Sequence, residues 1–462
     1  MARRPVQRVL VIGLDCATPQ FLFGPDRFDL PNLRRLAEGG RWGLLRSCDP
    51  PITAPAWAVM MSSKDPGTLG CYGFRNRSDH SYEGMITSNS RSIREPRVWD
   101  IISRCGKKVV VLGVPQTFPV TPVNGCMVAD FLAPDTQADY TYPKSLKPEI
   151  ERAVGEYIID VKDFRTERKD WLLEQLHALM RNRFDLARYL MTAKPWDFFM
   201  MVEMGIDRLH HGFWKFCDPA HPKYEPGNPH EHAIRDYYTV LDRRIGELLS
   251  LVGPDTAVMI VSDHGAKAML GGVCINQWLI NEGLLRVIDP LDTRKRIEDC
   301  AIDWSRTRAW ASGGYYGRVF FNVAGREPQG IVAPDGYEAL RSKVIDRIES
   351  MRDPDGKPLG NKALRPEDLY RTVNGIAPDL IVYFGNLSWR SVGAVGFDSI
   401  YTFENDTGPD DANHDFNGIF IMDDRTGRAG KEMKDLEILD VAPTILDLLG
   451  IDKPEDMQGK II

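Results

Sequence analysis

Apolar positions along the chain gather in short continuous runs separated by longer periodic stretches. Runs at Val9–Leu14, Val109–Val114, Phe198–Val202, Val258–Val261, Leu380–Phe384 and Gly418–Met422 are rich in β-branched or aromatic residues and read as strands. Between several of them apolar residues recur at helical spacing, over Pro31–Gly39, Ile93–Cys105, Trp171–Met191 and Ala233–Leu251. Such alternation predicts an α/β fold with a mostly parallel central sheet and helices on both faces. The closing segment LEILDVAPTILDLLG predicts a last helix stopped by Gly450. In such a sheet ligands bind at the carboxyl ends of the strands, so functional residues are expected just after strands.

Three stretches break the rhythm. Ala133–Lys162 is rich in Pro, Tyr and Asp and reads as an excursion above the sheet. Cys217–His232 carries four prolines and reads as a loop. Residues 266–375 mix strand-like and helical pieces with Gly/Pro turns and predict an inserted α+β lobe, a candidate substrate cap. Residues 1–265 and 376–462 would then form the α/β core. No internal repeat or low-complexity segment interrupts this division.

Composition narrows the function classes. The 462 residues carry 58 Lys+Arg against 65 Asp+Glu, a net charge of −7, with 43% apolar and 27% charged residues. That is the balance of an ordinary globular protein whose core needs no metal staple, so any metal site is expected to be functional. A mildly acidic chain without a basic block argues against a nucleic-acid polymer as partner. It leaves room for a small anionic substrate at a locally inverted site. Arg3 and Arg4 precede only a short apolar run ended by Asp15, which does not read as a secretory signal, and no apolar run is long enough for a span. The eight cysteines (16, 48, 71, 105, 126, 217, 274 and 300) form no C-x-x-C pair, the pattern of reduced, mostly buried thiols in the cytoplasm. Oligomeric state is not readable from these features.

The chemistry-bearing residues sit where the strand rule asks. Asp15 ends the first strand, Asp263 and His264 end AVMIVSDHG, Asp207 and His211 follow WDFFMMVEMGIDRLHH, and His414 precedes GIFIM. Any one has an ordinary explanation: a carboxylate after a strand often only caps a helix, and a His in a polar loop is often a surface residue. Together, three Asp and three His supply the mixed oxygen and imidazole donors that suit zinc or a similar divalent ion. Six donors divide into two three-ligand sites with open positions, the pattern of catalytic metal sites. The segment Asp49-Pro50-Pro51-Ile52-Thr53-Ala54-Pro55-Ala56-Trp57 places a hydroxyl on a Pro-rich turn before a helix. Thr53 could be a plain N-cap, but a hydroxyl at a helix N-terminus also suits a phosphate, and metal proximity can activate it.

The ordered set Asp15, Thr53-x-Pro55, Asp207-x-x-x-His211, Asp263-His264-Gly265 and His414 resembles the alkaline phosphatase superfamily. It is most similar to the type I phosphodiesterase/nucleotide pyrophosphatase branch and the phosphohydrolase/phosphomutase group around it, from first strand to last helix. The resemblance implies two divalent ions, expected to be zinc, with manganese suited to the same ligands. One ion would be held by Asp15, Asp263, His264 and the Thr53 oxygen, the other by Asp207, His211 and His414. Thr53 would attack phosphorus and form a covalent phospho-threonine, later hydrolysed or passed to an acceptor. The implied substrate is a small phosphodiester or nucleotide-type pyrophosphate. A phosphomonoesterase or phosphomutase with the same site, or a non-catalytic metal-stabilised binding protein, are the alternatives.

One position departs from the nucleotide pyrophosphatase pattern. Ala56 stands where that pattern has an Asn that helps hold a phosphoryl oxygen. Lys64, Arg75, Arg77 and Arg318 are candidates for that task. A sulfatase is disfavoured, because no C/S-x-P-x-R run occurs at Thr53. The four-residue spacing from Asp207 favours His211 over the adjacent His210. His221, His230 and His232 form a second group in the Pro-rich loop, read as surface residues or a substrate-contacting rim, and His80 and His177 have no partners in sequence.

Overall fold

The computed structural model describes residues 6–425 and 430–462; Arg3 and Arg4 lie outside the described residues. Five strands run parallel through the middle of a nine-stranded sheet, in the order Thr256–Val261, Arg8–Leu14, Phe198–Glu203, Val109–Leu112 and Gly125–Val128. Thr256–Val261, Phe198–Glu203 and Val109–Leu112 are buried at every position, which is why they read as unbroken apolar runs. Asn417–Asp423 pairs antiparallel to Thr256–Val261 and continues the sheet through Arg41–Arg46 to Lys431–Glu437, while Thr141–Tyr142 closes the other edge.

The two-residue period of the strands sends alternate side chains into two cores. Leu10, Ile12, Phe199, Met201, Val258 and Ile260 pack with Pro31–Gly39, Lys169–Ala193, Gly205–Cys217 and Ala233–Leu249. Val9, Val11, Phe198, Met200, Ala257 and Met259 pack with Thr53–Ser62, Val98–Arg104 and Val441–Leu448. Helices therefore cover both faces. Thr53–Ser62 is buried along its whole length, as an all-round apolar helix requires. Its seat depends on Gly13, where a Cβ would meet Trp57 Cη2 at 2.4 Å and Val202 Cγ2 at 2.8 Å.

A second set of small sheets occupies the chain between Gly271 and Thr402. Ala309–Ser312, Gly317–Phe321, Leu380–Tyr383 and Lys362–Leu364 form a four-stranded antiparallel sheet with Tyr337–Glu349 alongside. Gly271–Cys274, Trp389–Val392 and Tyr401–Thr402 form a three-stranded one. They share a hydrophobic cluster of their own running from Val273 to Val395. The run Leu380–Phe384, expected in the central sheet, belongs here instead. A short apolar run signals burial on both sides and says nothing about which sheet supplies it. Ala133–Lys162 contains a regular helix, Leu146–Val154, inside the expected excursion.

Four cysteines are buried, three are half-buried and Cys105 is exposed, with none in a disulfide. Among the described residues no helix is long and apolar enough to cross a membrane.

Candidate metal centre

Strand ends and one helix face bring the polar residues together. Asp15 follows Arg8–Leu14, and Asp263 and His264 follow the neighbouring strand Thr256–Val261. Asp207 and His211 lie four residues apart in Gly205–Cys217, hence on one helix face, after the strand on the other side of Arg8–Leu14. His414 enters from Ala412–Asp415, whose antiparallel pairing with Gly265–Ala268 sets it opposite Ala266. Donor atoms of Asp15, Asp263 and His264 lie within 4.8 Å of one another, as do those of Asp207, His211 and His414. The His264 and His414 rings stack at 3.8 Å between centroids, so the two groups adjoin. Thr53 opens its helix beside them, with Oγ1 at 3.2 Å from His264 Nε2. All seven residues are buried.

The hydrogen bonds around these groups fit divalent ions. Nδ1 of His414 meets the Pro51 carbonyl at 2.8 Å, Nδ1 of His264 the Gly265 carbonyl at 3.1 Å, and Nδ1 of His211 both Asp410 Oδ1 at 2.8 Å and the Ala412 carbonyl at 3.0 Å. These acceptors fix the Nδ1–H tautomer and leave Nε2 as the free donor atom, the arrangement metal-ligating imidazoles require. Nε2 of His211 and Nε2 of His414 then face each other at 3.3 Å. Two lone pairs cannot rest at that distance, so a positive charge must stand between them. Asp410 and then Asp207 outweigh burial and push His211 up to about 9, which favours a proton there when no ion is bound. A metal ion would take the proton's place.

The carboxylates make the same case. Asp15 Oδ1, Asp207 Oδ1 and Asp263 Oδ2 are buried without a hydrogen-bond partner among the described residues. Burial, then the charge of Asp207, pushes the Asp15 carboxyl well up, and burial, then Asp15, does the same to Asp263. Burial works against Asp207 too, but His211, His414 and Arg208 hold it well below the ordinary carboxylate range. Arg208 Nη1 donates to Asp207 Oδ2 at 2.8 Å, and Trp57 Nε1 to Asp15 Oδ2 at 2.7 Å, so each keeps one oxygen fixed and the other free. Crowded buried carboxylates with free oxygens call for a cation.

The type I phosphodiesterase/nucleotide pyrophosphatase family model matches residues 9–410. The chain belongs to this family. As a member it is a metal-dependent phosphoric ester hydrolase. Its fold is shared by phosphonoacetate hydrolase from Sinorhizobium meliloti 1021, solved with phosphonoacetate, at TM-score 0.60 and 15% identity over 96% of this chain and 95% of that one. Human ectonucleotide pyrophosphatase/phosphodiesterase 5 aligns at TM-score 0.53 and 12% identity over 97% of both chains. An inactive variant of the murine protein, solved with AMP, aligns at TM-score 0.56 and 10% identity, again over 97% of both. No curated protein matches the sequence.

Within this member of the type I phosphodiesterase family, the other sequence candidates fall in different places. Lys64 lies beyond the far end of Thr53–Ser62, where its ammonium pairs with Asp456 at 2.6 Å, so it is not at the cluster. A basic residue after a helix is as readily a C-terminal anchor as a phosphate ligand. Arg77 is buried against Glu327 at 3.1 Å and is likewise committed. Arg75 and Arg318 line a cavity next to Ile52 and Tyr315. His210 turns away from the cluster to Tyr238 at 3.3 Å and is pushed down to about 3, chiefly by burial. His221 accepts the Lys223 amide at 3.1 Å, and His230 approaches Asp170 at 3.6 Å, so neither joins the centre.

Asp410 and Tyr315 were not singled out by the sequence. Tyr315 stacks on His211 at 4.7 Å and on His414 at 4.4 Å, and its hydroxyl donates to Asp410 Oδ2 at 3.2 Å. The DD pair before Ala412-Asn413-His414 was the only available signal for Asp410. An acid behind a ligating imidazole orients it and raises its basicity. Asp410→Asn is therefore expected to weaken metal retention by about 10–100-fold, read by competition with a chelator.

Proposed function

We propose that this protein cleaves a phosphodiester or nucleotide-type pyrophosphate of a small molecule, with Thr53 as nucleophile and two divalent ions. The observation that carries the reading is the adjacency of Thr53 Oγ1 to two buried three-donor groups at one helix N-terminus. Asp15, Asp263 and His264, with Thr53, would hold one ion, and Asp207, His211 and His414 the other. Bound ions would supply charge neutralisation for the entering and leaving oxygens of an in-line displacement at phosphorus. Zinc suits this donor set, and manganese would bind the same atoms.

The chain's own part is positioning. The Pro-rich turn and the buried helix hold Oγ1 where the positive end of the helix favours a phosphoryl oxygen. Thr53 gives its hydroxyl proton to water as the Oγ1–P bond forms and the bond from phosphorus to the leaving oxygen breaks. The leaving oxygen takes a proton back from water, giving a phospho-threonine and a protonated leaving group. Water then cleaves the Oγ1–P bond and returns Thr53 to its starting form. Small sheets between Gly271 and Thr402 bring Tyr315 over the imidazoles, which suits the lobe expected at residues 266–375, here extended by its strands to Thr402, as a cap that shapes the substrate pocket. Eight cysteines outside any disulfide suit a reducing compartment such as the cytoplasm.

A second reading, phosphomonoesterase or phosphomutase, uses the same groups and gains from Ala56, which cannot hydrogen-bond a diester oxygen. Rates on bis(p-nitrophenyl) phosphate and p-nitrophenyl phosphate separate the two. The diester is expected to show the higher kcat/KM by at least about tenfold, roughly 1.4 kcal/mol of transition-state discrimination. A monoester turned over far faster would overturn the diesterase reading.

A further inference from the structure

Beside the metal centre lies a cavity of about 520 Å³ whose lining includes five arginines, Arg75, Arg165, Arg296, Arg318 and Arg390, against two carboxylates, Glu298 and Asp406. Ile52, immediately before Thr53, and Tyr315, stacked on His211 and His414, form its wall toward the cluster. Such a concentration of one sign is unusual in a chain of net charge −7.

Structural pairing accounts for only part of it. Arg165 is paired with Asp410 at 3.1 Å, and Arg296 approaches Glu298 at 3.6 Å. Arg390 Nη2 reaches Asp406 at 3.5 Å, and its Nη1 donates to Thr407 Oγ1 at 3.2 Å and approaches Asp410 at 4.0 Å, so Arg390 is partly neutralised, while its Nε is buried without a hydrogen-bond partner among the described residues. Arg318, 8% exposed, donates to the Arg75 carbonyl and to Ser312 Oγ at 2.9 Å, both neutral acceptors. Neither Arg318 nor Arg75 has a carboxylate partner among the described residues. A buried guanidinium without a counter-charge costs stability unless a ligand supplies one.

We propose that this cavity binds a second phosphate group of the substrate, held by Arg318 and Arg75 with Arg390, while the scissile phosphorus sits at Thr53. The inference rests on the phosphoester reading of that site and deepens it: the substrate is a phosphoester that carries another phosphate on the same small molecule. Guanidinium groups fit phosphate through paired N–H donors, which a neutral or purely apolar substituent could not satisfy. The cluster at Thr53 would neutralise one phosphate, and Tyr315, which stacks on its imidazoles, also lines the cavity that holds the arginines, so a second anion on the same molecule would meet them there.

Thymidine 5′-(p-nitrophenyl phosphate) and its 3′-phosphorylated form share a leaving group and differ by one phosphate. With the metal-loaded wild type the added phosphate is expected to raise kcat/KM by about tenfold or more, and Arg318→Ala and Arg75→Ala to bring that ratio close to one. Arg318→Lys, which keeps the charge without the fork, should retain part of the preference. Arg75 is exposed, so its variant answers the question even where Arg318→Ala folds poorly. Calorimetric binding of thymidine 5′-phosphate and thymidine 3′,5′-bisphosphate gives the same comparison without turnover. A ratio near one in the wild type, or a ratio unchanged in both alanine variants, overturns the second-phosphate site. Absence of turnover with the bisphosphate still bound more tightly would instead overturn the phosphodiesterase reading and leave the cavity assignment standing.

Discussion

Replacing Thr53 by alanine is expected to lower turnover of a diester by at least about a thousandfold while leaving two equivalents of metal in the protein. The side chain removed is small, so the helix keeps its packing: Trp57 continues to fill the space over Gly13, and Ala56 stays in the same core. What disappears is the hydroxyl at 3.2 Å from His264 Nε2. Each group retains its three side-chain donors, whose orientation depends on Pro51, Gly265, Asp410 and Ala412 rather than on Thr53. Loss of rate with metal content intact is therefore the signature of a nucleophile rather than of a scaffold residue. Metal analysis and single-turnover trapping of phosphorylated enzyme would be run side by side. A variant that still hydrolysed the diester would remove Thr53 from its role and point to direct attack by water.

How far these features could be read beforehand depends on the range of the interaction behind them. Asp15, Asp207 and Asp263 were legible because a doubly covered parallel sheet forces functional groups to strand ends, and unbroken apolar runs mark those strands. His211 was legible because four residues make one turn of helix. Asp410 was not, since its contact to His211 spans 199 residues and only the folded chain brings the two together. The same holds for Leu380–Tyr383, whose partners are Gly317–Phe321 and Lys362–Leu364 and not the central strands. For arginines the sequence offers no distinction between Arg77, neutralised by Glu327, and Arg318, which faces only neutral acceptors. The charge balance acquires a location as well: Asp15, Asp207 and Asp263 gather in the candidate metal centre, and cationic residues line the cavity beside it.

Removal of divalent ions should produce the second large effect, and in two observables at once. Turnover is expected to vanish on chelation, and the melting temperature to fall by several degrees, because ions bound only to the folded state contribute up to about 4 kcal/mol at a thousandfold excess over Kd. The physical cause is visible in Asp15 Oδ1, Asp207 Oδ1 and Asp263 Oδ2, which are buried without a hydrogen-bond partner among the described residues and face imidazole nitrogens. Substituting one member of each group separates the two ions. Asp263→Asn should keep the ion at Asp207, His211 and His414, and Asp207→Asn the ion at Asp15, Asp263 and His264, each at one equivalent instead of two. Asp263→Asn carries a further expectation of opposite sign. Removing one charge from a pair of carboxyls that burial and mutual repulsion already disfavour should leave the chelated variant melting no lower than the chelated wild type. A melting temperature indifferent to chelation, or a chelated Asp263→Asn protein clearly less stable than its parent, would show that Asp263 serves the fold directly and not through a bound cation.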